Sequence, residues 1–169
     1  MWDIESAEQK LTPIVYRGGA QSSHAFSEDG QLLAAGSQDS AVVLYDLITN
    51  SELKIDLSGM AGGITSLAFS PDTKILAAGS SDLKIVLIDL QSRLPLSETL
   101  NGSPASVMSL SYDPSGDYLF SGHSDGRILR WEISSRLLKE KACQAAERDM
   151  TLEEWQRLFP GLPYRETCL

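Results

Sequence analysis

One unit of 43 residues recurs along this chain in phase. The segments HAFSEDGQLLAAGSQDSAVVLYD, LAFSPDTKILAAGSSDLKIVLID and LSYDPSGDYLFSGHSDGRILRWE align without a gap, starting at His24, Leu67 and Leu110. Phe26, Phe69 and Tyr112 keep the spacing, as do Gly36, Gly79 and Gly122, then Asp39, Asp82 and Asp125. A fourth, partial copy opens the chain, where Trp2-Asp3 lies 43 residues before Tyr45-Asp46. A period of this length means units that cannot bury an apolar face alone and must stack on their neighbours.

Each unit reads as short strands joined by tight turns. In the second unit, Leu67–Ser70 leads into a turn at Pro71-Asp72, where proline fixes φ and the aspartate can bond the backbone beyond it. A strand over Ile75–Gly79, a polar turn over Ser80–Lys84 and a strand over Ile85–Asp89 follow. Val42–Tyr45 and Ile85–Ile88 are apolar without alternation, as in strands covered on both faces. Several short strands in a period of about 43 residues match one blade of a β-propeller.

These residues resemble the WD-repeat β-propeller family, over about residues 2–133. The resemblance implies an all-β fold of three full blades, at about 18–58, 59–101 and 102–134, with 1–17 as the end of a truncated blade. The family's structural tetrad of His, Ser/Thr, Asp and Trp is partly present. Asp39, Asp82 and Asp125 hold its aspartate position, and Gly36, Gly79 and Gly122 keep phase beside it. Ser121 and Trp131 match in the last unit only, while Ala35/Tyr45 and Ala78/Ile88 stand in the others. The Gly-His dipeptide has become Gly59-Met60 and Gly102-Ser103, which predicts a weakened hydrogen-bond scaffold.

The ends of the array differ from its middle. Gln21 and His24 replace apolar residues of the later units, and Arg130 stands where Leu44 and Leu87 do. Terminal repeats commonly carry such polar substitutions. The resemblance implies that residues 9–17 could form an outer strand and pair beside 128–133, since in that family an N-terminal outer strand often completes the last blade. Propellers usually have four to eight blades. A blade face of ~320 Å² is worth roughly 8 kcal/mol when covered, against a total stability of about 5–15 kcal/mol. Two uncovered faces therefore lead to an expectation of self-association, with two chains closing a six-bladed ring, or of docking onto a separate propeller piece.

The composition shifts near residue 134. Residues 1–134 hold 8 basic and 17 acidic side chains, the whole of the net charge of −9, while 135–169 are balanced. Residues 135–169 read as a helical C-terminal extension that caps the array. Leu138, Ala142, Ala145 and Ala146 share one helical face, and Thr151 with Glu154 forms a capping box before Leu152, Trp155, Leu158 and Phe159. Pro160-Gly161 ends that helix. The tail resembles a short extension on bacterial multidomain WD-repeat signalling proteins, through Cys143, Thr151, Glu154, Trp155, Tyr164 and Cys168 among others. This chain ends in Leu169 where that extension usually has proline. The resemblance implies a bacterial source and a partner-sensing role.

The acidic charge argues against nucleic acid and anionic membranes as partners. No apolar run approaches the roughly 18 residues of a membrane helix, and the acidic start lacks a signal-peptide core. Two cysteines fit free thiols in a cytoplasmic setting. Two histidines and one aspartate per blade give no metal ligand set, and no nucleotide motif is present, so no cofactor is expected. Ser121, His123 and Asp125 invite a catalytic-triad reading, but the segment aligns with Ala78–Asp82, a hairpin without that chemistry.

The sequence therefore reads as a non-catalytic scaffold or sensor that binds a protein partner through propeller loops. The alternatives are a fragment of a larger WD-repeat signalling protein without independent activity and, more distantly, a hydrolase using Ser121 and His123.

Overall fold

The computed structural model describes residues 5–6, 20–57, 60–96, 100, 102, 104–134 and 151–158. Eleven strands and one helix are described. The first sheet runs β1 (Gln21–Phe26), β2 (Leu32–Ser37), β3 (Ala41–Asp46) and β4 (Ser51–Asp56). The second runs β5 (Ile64–Phe69), β6 (Ile75–Ser80), β7 (Ile85–Asp89) and β8 (Leu94–Pro95). The third has three described strands, β9 (Val107–Tyr112), β10 (Tyr118–His123) and β11 (Ile128–Glu132). Every pairing is antiparallel between neighbours in sequence. The fold is thus all-β, built of meandering sheets in the phase of the repeat.

Turn chemistry explains why each unit folds back on itself. In the first two turns a serine and an aspartate two residues later act together. Ser27 Oγ donates to Asp29 at 2.6 Å and accepts from the Leu32 N–H at 2.9 Å. Ser70 does the same with Asp72 at 2.7 Å and Ile75 N–H at 2.9 Å. The third turn exchanges the two residues. Asp113 accepts from the Tyr118 N–H at 2.8 Å, and Ser115 Oγ donates to Asp113. Ser-x-Asp and Asp-x-Ser therefore close the same turn with acceptor and donor swapped. Between the second and third strands of each sheet, Ser40, Leu83 and Gly126 all take positive φ, at 62°, 70° and 85°. Only the last unit places glycine there, the residue that adopts this backbone without a Cβ clash.

The sheets stack through their first strands, β1 on β5 and β5 on β9. One apolar cluster joins the first sheet to the second, with Ala34, Val42, Leu44 and Ile55 meeting Ile64, Leu76, Val86 and Ile88. A second joins Ala77, Ile85 and Leu87 to Val107, Leu119 and the half-buried Trp131. The period of two sends alternate residues to opposite faces, so the middle sheet is covered on both.

Two devices set the stacking distance. A Cβ on Gly36 would lie 2.5 Å from Ile64 Cγ2, and one on Gly79 would lie 2.5 Å from Val107 Cγ1. Each glycine leaves a slot that a β-branched residue of the next sheet fills. Beside it, Ser22 Oγ donates to the Ile64 carbonyl, and Thr65 Oγ1 donates to the Val107 carbonyl.

The outer faces of the array differ. Ala35, Val43 and Tyr45, on the face of the first sheet turned away from the second, are buried. On the third sheet the outward face exposes Met108, Phe120 and Ile128, the last at 74%. The sequence expectation of two open faces therefore holds for one. A ring closed by two chains needs both.

The helix α1 (Leu152–Leu158) starts with the capping box. The Glu154 carboxylate accepts from the Thr151 N–H at 2.9 Å, and Thr151 Oγ1 accepts from the Glu154 N–H at 3.2 Å. The expected first tail helix and the outer strand at 9–17 lie outside the described residues, as do Cys143, Tyr164 and Cys168.

The slot geometry gives a test. Gly79→Ala should cost about 1–3 kcal/mol in denaturant unfolding, because its methyl meets Val107. Adding Val107→Ala should then cost less than it does in the parent protein. Additive losses would mean that the two positions do not share one slot.

Candidate functional site

The densest polar constellation lies in the third sheet, and it is sealed. Ser121 is fully buried on β10 and His123 is nearly so, at 6% exposed. Both project to the face turned toward the second sheet, as the two-residue period of a strand requires. Trp131, on β11, donates from Nε1 to Ser121 Oγ at 2.7 Å. Ser121 Oγ lies 2.8 Å from His123 Nε2, and His123 Nδ1 lies 3.1 Å from the Ala105 carbonyl.

The proton positions follow from the partners. A carbonyl only accepts, so Nδ1 carries the proton. In the neutral ring Nε2 is then the acceptor, and the Ser121 hydroxyl donates to it while accepting from Trp131. The indole N–H, the hydroxyl and both ring nitrogens each have a partner in the row.

This geometry differs from a hydrolytic triad at the decisive atom. A triad sets a carboxylate on the second ring nitrogen; here a backbone carbonyl holds it. Asp125 points elsewhere, accepting from the Arg127 N–H at 3.1 Å and facing Arg127 Nε at 3.4 Å. Ser121 has no surface on which a substrate could arrive. The family resemblance pairs Ser121 with Trp131 in the structural tetrad; what the sequence does not reveal is that His123, from within β10, joins them.

The expectation of a weakened scaffold is corrected for this unit. The histidine absent before the first strand is supplied from within β10, at the place held by Ser37 and Ser80 in the other sheets. In those sheets the serine works with the turn aspartate instead. Ser37 Oγ donates to Asp39 and accepts from the Ala41 N–H at 3.3 Å. Ser80 Oγ donates to Asp82, whose other oxygen accepts from the Ala61 N–H at 2.7 Å. Partial burial works against the charge of Asp82. The Ser80 hydroxyl, the Ala61 N–H and Lys84 nevertheless hold its carboxyl below the ordinary 3.8.

The turns at the opposite end of the sheets carry carboxylates held ionised in the same way. Asp29 and Asp72 are lowered chiefly by the Ser27 and Ser70 hydroxyls, and Asp113 by Ser115. Two clefts open among these turns, of about 400 and 420 Å³, sharing Pro71 and Tyr112 as a common wall. The Tyr112 hydroxyl is buried without a hydrogen-bond partner, and burial followed by the charge of Asp72 pushes its pKa well above the usual value for tyrosine.

Among the described residues no group of three or more His, Cys, Asp or Glu side chains could hold a metal ion, and no helix is long and apolar enough to cross a membrane. The side chain of Trp155 is outside what the structure describes.

Comparison with known proteins follows the repeat. The family model for the WD domain, G-beta repeat, matches residues 16–46, 51–89 and 95–132, more than half of the chain. No curated protein sequence matches. The solved structure of U3-55K is similar with a TM-score of 0.65 and 19% identity over 70% of this chain. This chain spans 38% of that protein's length. As many as 1242 solved chains are similar, so likeness of fold carries architecture and no particular activity.

The hydrogen-bonded row gives a prediction. Ser121→Ala leaves the Trp131 N–H and His123 Nε2 unpaired in a buried site, and should cost about 2 kcal/mol in denaturant unfolding, with a shift in Trp131 fluorescence. An unchanged stability would mean that the row is not structural.

Proposed function

This chain belongs to the WD-repeat family, and from that premise we propose that it is a non-catalytic protein-interaction module. Its blades are rigid scaffolding, and its inter-strand loops meet a protein partner. The observation that carries the reading is the Trp131–Ser121–His123 row: the polar constellation best suited to chemistry is buried and fully used by its own blade. We place the propeller segment at 1–134 and a helical extension at 135–169. We extend the proposal to a partner-sensing role in a bacterial cytoplasm, on the resemblance of the tail to the extension of bacterial multidomain signalling proteins.

The test is direct binding. Proteins captured from the source organism on the full chain are purified and titrated against it. At least one should bind saturably and lose affinity when an exposed loop residue is replaced, with Ser121→Ala binding like the parent wherever it remains folded. Failure of every purified candidate to bind would overturn the reading.

Self-association is a second reading, favoured by the exposed Met108, Phe120 and Ile128 on the outer face of the third blade. Two such faces of ~320 Å² bury roughly 640 Å² together, below the ~1,200 Å² of a stable interface. Association should be weak. Light scattering should show mass rising with concentration, and Phe120→Asp should hold the mass at one chain. A single-chain mass at every concentration in the parent protein would exclude it.

A further inference from the structure

The two ends of the blades differ in charge. The turns after the first and third strands carry Glu28, Asp29, Asp46, Asp72, Asp89, Asp113 and Asp117, with Lys74 and Arg93 as the bases among them. At the opposite end the turns between the second and third strands carry Asp39, Asp82 and Asp125 with two bases, Lys84 and Arg127, which face Asp82 and Asp125 at 3.5 and 3.4 Å. Both clefts open at the acidic end. Their volumes fall within the ~300–1,000 Å³ of ordinary ligand sites.

The clefts combine apolar and acidic lining residues. The first is lined by Phe69, Leu110 and Pro114 together with Glu28 and Asp113. The second is lined by Ile75, Leu96 and Ile133 together with Asp72 and Asp117. Among the described residues no lysine or arginine lines either one. Lys74 meets Asp72 at 3.3 Å, but its side chain is 79% exposed and stands outside the cleft.

We infer that these clefts form a docking groove for a basic segment of a protein partner, taking two neighbouring arginine or lysine side chains, one in each. A lining both apolar and acidic suits a side chain whose methylene stem is greasy and whose tip is cationic. An acidic segment would meet like charge from both sides, and a purely apolar one would desolvate the Glu28 and Asp113 carboxylates, against which the described residues set no lysine or arginine. Asp72 and Asp113 are tied into their turns by Ser70 and Tyr118, so they stand ready without ordering on binding. The inference rests on the partner-binding role proposed above and names the end of the propeller and the chemistry that perform it.

The probe is a capped tetrapeptide with two adjacent arginines between alanines, titrated by calorimetry or NMR into the full chain. The control peptide has glutamines in place of the arginines. The arginine peptide should bind more tightly than the control, with affinity falling as salt rises. Two variants separate a local contact from the overall field, since each changes the net charge by one. Glu28→Gln, in the groove, should weaken the arginine peptide about tenfold. Gln38→Lys, exposed in a turn at the opposite end, should leave it within about twofold. Equal binding of the two peptides, or equal loss in both variants, would overturn the inference. Neither result would bear on a protein partner that binds at the other end, so the two proposals fail separately.

Discussion

Everything in this array depends on how closely one sheet can approach the next. The distance is set where a β-branched side chain enters the slot left by a glycine: Ile64 at Gly36 and Val107 at Gly79. The hydroxyl of Ser22 or Thr65 fixes the height of the same contact by bonding the carbonyl of the residue in the slot. Packing and a directional bond thus act on one residue pair, and the apolar clusters on either side close around it. Dispersion falls steeply with a gap of an ångström, so a change in the slot loosens the whole interface.

Much of this was legible in the sequence because repetition multiplies weak signals. A single Ala-Ala-Gly-Ser run says little, but the same run at 43-residue intervals fixes strand, turn and strand together. Apolar runs such as Val42–Tyr45 correctly announced strands buried on both faces. The Thr151–Glu154 box correctly announced a helix start, because its bonds are local and need no tertiary partner. What remained hidden was long-range substitution of one donor for another. Nothing in Ser121-Gly122-His123 alone says that the histidine replaces one from a distant loop, or that its second nitrogen meets Ala105. Nor does Asp113-Pro114-Ser115 announce that it closes the same turn as Ser70-Pro71-Asp72 with the roles reversed.

The same logic separates scaffold from chemistry. Ser121 and His123 have the residue types of a nucleophile and a base, yet the arrangement satisfies all their hydrogen bonds internally. A reactive group needs an unspent valence directed at a place a substrate can reach. Groups with charge to offer lie instead at the turns, where aspartates accept the hydrogen bonds that close the turn while remaining open to solvent. The turn requirement and the surface charge are therefore one property: the carboxylates that close the turns also make one end of the propeller acidic.

The third blade departs from the other two on its outward face. At the position of Ser22 and Thr65 it carries Met108, which cannot donate the bond that fixes the next sheet. At the position of Ala34 and Ala77 it carries Phe120, and Arg130 takes the place of Leu44 and Leu87, with its guanidinium 4.8 Å from the centre of the Tyr118 ring. Each change opposes another blade at the regular spacing: a bond is lost, a phenyl ring occupies the space of a methyl, and a charge enters an apolar seam. Gly122 keeps its place, but among the described residues no β-branched side chain meets it; its near neighbour is Ser109 of its own sheet. The third sheet therefore retains the inward half of the stacking device and has lost the outward half, which makes its exposed apolar face different in kind from the seams that hold the other blades together.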